Sequence, residues 1–136
     1  MVSFKNLSVM TALITFGLCI TLLFTPEVIF NLFQIEGHDS AFFISRRAAI
    51  LFLGISIIAW AGRCAPESDS RLAISLGLTV SMIALALIGA LEYFRGFVGL
   101  GIFLAIVTEV ALGAAYGNIW FSSRKNRNKG LGDYTF

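Results

Sequence analysis

The chain reads as all-α: an integral membrane bundle of four transmembrane helices with a short outer surface helix. Three observations lead there. Of 136 residues, 57% are hydrophobic and only 13% charged, against about 25% charged in an ordinary soluble domain. Apolar stretches at about 7–24, 41–62, 72–93 and 97–121 are each long enough to cross a hydrocarbon core of about 30 Å at about 1.5 Å per helical residue. No segment shows the period-two alternation of a barrel strand, and backbone groups in lipid must be satisfied within their own segment. These spans form one domain, residues 1–121, and leave only residues 122–136, a flexible basic cytoplasmic tail.

Each element has its own signals. The run from Leu7 to Phe24 is longer than a signal-peptide core, and no small-x-small cleavage pattern precedes Thr25-Pro26, so it reads as a retained span. Thr25-Pro26-Glu27 starts a helix, with proline at the first helical position and an acid in the first turn. Val28 to Ile35 supply an apolar face and Gly37 a stop, which gives a surface helix: either a packed extension or a mobile lid. Asp39 or Ser40 caps the second span, and the polar loop Pro66–Ser70 caps the third. Gly96, between Arg95 and Phe97, terminates the third span and makes the last hairpin tight.

Cations set the orientation. With the N-terminus inside, Lys5, Arg63, Arg71, Arg124, Lys125, Arg127 and Lys129 fall on the cytoplasmic side, against Arg46, Arg47 and Arg95 outside. Both termini are therefore expected in the cytoplasm. The net charge of +2 serves this asymmetry and possible contact with anionic lipid, not nucleic acid. Cys19 lies within a span and Cys64 beyond one, and His38 is the only histidine. No metal site and no cofactor are expected from such a set. His38-Asp39 reads as loop chemistry, and no nucleophile motif, phosphate loop or HExxH pair is present.

Two constellations remain. Glu109 sits near the middle of the last apolar stretch, where a lone carboxylate costs a few kcal/mol and needs a partner, a proton or a role. It belongs to a four-residue stripe, Gly101, Ala105, Glu109, Gly113 and Gly117, of the kind that lets helices approach closely. Depth counting brings Thr15, Ser81 and, less directly, Ser56 to its level, with no Lys or Arg there, so the neutral acid is the expected form. It is then a structural hydrogen-bonding group, a proton, cation or substrate site, or a contact with another subunit. The second constellation is an outer charged cluster of Glu27, Arg46, Arg47, Glu92 and Arg95. Adjacent helical positions point about 100° apart, so one of Arg46 and Arg47 snorkels to phosphate while the other turns toward Glu92. Headgroup anchoring and an anion or polar-headgroup site are both open here.

The stretch from Leu23-Phe24-Thr25-Pro26 through Leu32-Phe33, then Arg46-Arg47, Leu53-Gly54 and Trp60 to Arg63, resembles small bacterial four-helix inner-membrane proteins of unknown function. The resemblance covers the first half of the chain. It implies a four-helix fold in the bacterial inner membrane and carries no activity or site.

Three functional classes follow. The first is a non-catalytic accessory or assembly subunit of a larger membrane complex. The second is a small oligomeric proton- or cation-linked transporter or channel using Glu109. The last is a membrane enzyme or binder of a lipid or quinone at the outer arginines, which the lack of convergent ionisable groups disfavours. Besides the bilayer, the expected partners are further copies of this chain or the subunits of a larger complex, with a lipid bound between them.

Overall fold

A computed structural model of the chain describes the backbone of residues 3–132 and side chains as far as Lys125. Within that range the fold is all-helical, with no strand. The elements in chain order are α1 (Phe4–Phe24), α2 (Pro26–Phe33), α3 (Asp39–Gly62), α4 (Asp69–Phe94) and α5 (Ile102–Gly132). All but α2 are long and apolar enough to cross a bilayer. They form two hairpins, α1 with α3 and α4 with α5, each packed along its length. The hairpins meet through much sparser contacts between α1 and α5 and between α3 and α4.

Local chemistry explains most boundaries. The Ser3 hydroxyl accepts from the Asn6 N–H at 3.3 Å and starts α1. Pro26, which brings no N–H of its own, opens α2 directly after Thr25. Ser68 caps α4 by accepting from the Arg71 N–H. At the far end of α4, Gly96 takes φ 77°. Its N–H bonds the Tyr93 carbonyl while the Phe97 N–H reaches Glu92, the paired closure of a Schellman motif.

Three boundaries differ from the sequence expectation. Residue 38 rather than Asp39 or Ser40 is the cap of α3, and the His38 side chain makes no capping bond. The surface helix stops four residues earlier than the first glycine after it, because Gln34 adopts the left-handed conformation itself, at φ 56°. The Gln34 and Ile35 N–H groups close its last turn on Asn31 and Phe30. The last long helix begins at Ile102, five residues later than Phe97. Residues 95–101 form a loop, and the first turn of α5 is made by i to i−3 bonds onto Gly99, Leu100 and Gly101. Beyond the apolar part, α5 continues to Gly132. The tail expected from residue 122 falls, for residues 133–136 and for the side chains of Arg127 and Lys129, outside what the structure describes.

α2 does not lie apart on the surface. It crosses from the first hairpin to the α4–α5 loop, where the Gly99 N–H donates to the Phe33 carbonyl at 2.7 Å. Gly101 lies against the Leu32 backbone carbonyl so closely that a Cβ would collide with it, and Gly99 lies under the Gln34 side chain. The strap thus holds the two hairpins together at this end of the bundle. At the opposite end Phe4, Leu7, Leu78, Met82, Leu112 and Tyr116 form the main buried cluster.

Candidate functional site

The seam between the hairpins carries the polar groups of the bundle. On α1, Ser8, Thr11 and Thr15 follow one another at spacings of three and four residues and are all buried. They therefore share a face of that helix. Facing them on α5 are Tyr116 and Glu109, seven residues apart and so on one face, about 10 Å from each other along the axis. The Tyr116 hydroxyl donates to Thr11 Oγ1 at 3.1 Å, with Ser8 Oγ at 3.5 Å, and Tyr116 is fully buried. Phe4 meets the same ring edge-on at 6.3 Å. This closes the seam toward the end at which α1 begins.

Two turns away the seam opens. A cleft of about 240 Å³ lies between α1, α2, α4 and α5, with Phe52 of α3 also in its lining. Glu109, half-buried, lines it together with Thr15 and Thr108, and the rest of the wall is apolar. Ile29, Leu32 and Phe33 of the strap supply the wall at the α2 end. Leu32, Leu85 and Leu104 line the cleft and are themselves exposed, so they form its rim. Both threonine hydroxyls are committed along their own helices. Thr15 donates to the Thr11 carbonyl and Thr108 to the Leu104 carbonyl, each at 2.8 Å. Among the described residues no hydrogen bond or ion pair engages the Glu109 carboxyl group.

Of the residues expected beside Glu109, the structure brings in Thr15. Ser81 is exposed on α4 and does not line the cleft, and Ser56 donates to the Ala12 carbonyl at 2.9 Å. The four-residue stripe also divides. Gly113 packs on Ile83 and Met82 and Gly117 on Thr79 of α4, whereas Ala105 and Glu109 face the cleft and Gly101 precedes the helix against α2. A step of four residues advances about 40° beyond a full turn, so the stripe winds around the helix instead of marking one side.

At the α2 end only part of the expected charged cluster assembles. Arg95 Nη1 and Glu92 Oε1 pair at 3.0 Å, and Arg95 lies over Phe97. Arg46 and Arg47 are both exposed, Arg47 over the Phe43 ring at 5.8 Å, and neither turns inward to Glu92; Glu27 is exposed as well. His38 is exposed and 3.7 Å from Glu36. Among the described residues no group of His, Cys, Asp and Glu is arranged to hold a metal ion. Three features of the site had escaped the sequence reading: Thr108, the wall supplied by α2, and the Tyr116 hydroxyl cluster. Ser8, Thr11 and Thr15 were the available signal, a polar ridge at helical spacing in an otherwise apolar span.

No family model, curated protein or solved structure matches the chain.

Proposed function

We propose that the chain is a small multi-pass membrane protein of the bacterial inner membrane, both termini cytoplasmic, that acts as a proton- or cation-linked carrier through Glu109. The observation behind this reading is the Glu109 carboxyl group, without a partner among the described residues, in a reachable cleft whose wall is apolar apart from Thr15 and Thr108. A buried wall that only served packing would be better built from hydrocarbon, and an ionisable group kept inside a membrane is by default a working one. Insertion itself is supported by the end decoration. Arg63 stacks on Trp60 at 4.2 Å, Arg71 on Phe4 at 4.6 Å and Arg124 on Trp120 at 5.0 Å, all at one end of the bundle. Aromatic rings and snorkelling cations are what a membrane boundary selects. With the positive-inside bias, that end is cytoplasmic.

The test is reconstitution into liposomes carrying an internal pH dye. Wild-type protein is expected to pass protons or monovalent cations in a Glu109-dependent way. Flux unchanged in Glu109→Gln sinks the carrier reading. A non-catalytic accessory or assembly subunit is the second reading. Its support is the sparse packing between hairpins, together with an apolar groove along α1 and α3 lined by Phe16, Leu53, Ser56 and Trp60. Recovery as a stoichiometric component of a larger complex, read by native mass spectrometry after gentle purification, would favour it.

A further inference from the structure

We infer that the Glu109 cleft takes an apolar amine, bound as its ammonium, with the hydrocarbon body held against α2. The inference rests on the reading of Glu109 as a working site and goes beyond it by naming the ligand class. Its basis is the kind of hydrogen-bonding group the cleft presents. The protons of Thr15 and Thr108 are spent on the carbonyls of Thr11 and Leu104. A hydroxyl has a single proton to give, so what these two offer the cleft is lone pairs. A carboxylate likewise only accepts. The helical backbone contributes no free N–H here, because the N–H groups of a helix interior are bonded within it. With Glu109 ionised, the cleft is therefore a set of acceptors in hydrocarbon, and the complement of that state is a group that only donates and carries positive charge. An amine that enters uncharged reaches the same state: its nitrogen lone pair takes the proton of a neutral Glu109 acid, leaving ammonium and carboxylate.

Size and composition narrow the ligand class. About 240 Å³ is the liquid volume of roughly eight waters, which leaves room for an organic body beside the proton or cation of the carrier reading. A calcium ion wants six to eight oxygens, and the side chains offer only the two carboxylate oxygens of Glu109 and two hydroxyls. A quinone or an anionic headgroup would find a single donor among the lining side chains, the O–H of the neutral Glu109 acid, and an anion would have no positive charge to meet. The wall of Ile29, Leu32, Phe33 and Leu85 instead matches a hydrocarbon body, reached past the exposed Leu104.

The full-length protein in phosphatidylcholine nanodiscs, treated with dicyclohexylcarbodiimide, provides the test. This apolar reagent adds to carboxylic acids that it reaches from hydrocarbon, and the adduct is mapped by mass spectrometry. Labelling of Glu109 is expected without ligand. Its absence would remove the reachable cleft, and with it both the carrier reading and this inference. Octylammonium, octanol and octanoate are then compared at matched membrane concentrations. Octylammonium is expected to slow labelling at least tenfold, octanol less than twofold and octanoate not at all. Equal protection by octanol and octylammonium, or none by octylammonium, overturns the amine while leaving Glu109 reachable. A second arm measures octylammonium binding by saturation-transfer NMR, with a loss of at least tenfold in affinity expected for Glu109→Gln. Equal affinity in the two proteins overturns the inference.

Discussion

Tyr116 and Glu109 occupy the same face of α5, two turns apart, and oppose the same ridge of α1. In an antiparallel pair each step along one helix is matched by a step back along the other, so Thr15 stands to Glu109 as Ser8 stands to Tyr116. Yet one position is sealed and the other open. The phenol is fully buried, with its hydroxyl against Thr11 and Ser8. The carboxyl stands half-exposed in a cleft. Side-chain reach accounts for much of the difference, since a tyrosine spans the gap between hairpins and a glutamate does not. The strap accounts for the rest. By wedging its backbone between α1 and the α4–α5 loop, α2 keeps the hairpins from collapsing onto Glu109. Similar registers can therefore build a structural joint and a binding cleft, depending on which side chain is offered.

Substitutions should separate the two. Tyr116→Ala is expected to have the largest effect, a loss of about 3–5 kcal/mol, because it leaves a cavity in the sealed half; detergent-based unfolding measures it. If that loss is below about 1 kcal/mol, the joint is not the anchor described here. Gly101→Ala comes next. Its new Cβ meets the Leu32 carbonyl, which is backbone and cannot rotate away, so a cost of about 1–3 kcal/mol is expected from overpacking. The same variant should label faster at Glu109 with the carbodiimide as α2 is pushed off, and unchanged labelling would deny α2 its part in the wall. Glu109→Tyr should act in the opposite direction, filling the cleft and raising stability by about 1 kcal/mol, as cavity-filling changes at functional sites commonly do. A destabilised Glu109→Tyr protein would count the glutamate as structural. The smallest effect belongs to Tyr116→Phe, which removes one hydroxyl and should cost about 0.6 kcal/mol, the scale of interhelical hydrogen bonds in membrane proteins.

The long helices were legible because long apolar runs stand out in the sequence itself, and the cap within Pro66–Ser70 and the stop at Gly96 were legible because their chemistry is local. Contacts between distant segments were not. Phe97, Val98 and Leu100 are apolar enough to extend a span on paper. They lie instead in a loop whose glycines at 99 and 101 serve the approach of α2, a purpose that only the folded chain reveals. Starting the helix at Ile102 also moves Glu109 about two turns from its beginning, nearer the α2 end than a span from Phe97 implies. Ser81 and Thr15 looked equivalent by depth, but depth says nothing about the angle around a helix, and only Thr15 points into the seam. Arg46 and Arg47 illustrate the same limit: their position near a helix start was readable, their outward direction was not.

The strap has a consequence for the order in which the protein is made. α2 leaves the ribosome early, whereas the Gly99 N–H that holds the Phe33 carbonyl comes 66 residues later in the chain. At about 5–20 residues per second, α2 waits roughly three to thirteen seconds for its docking partner. Once Gly62 has followed, the first hairpin is complete while its strap is still tied at one end only. The site around Glu109 comes into being last, in a single closing event when the final hairpin arrives.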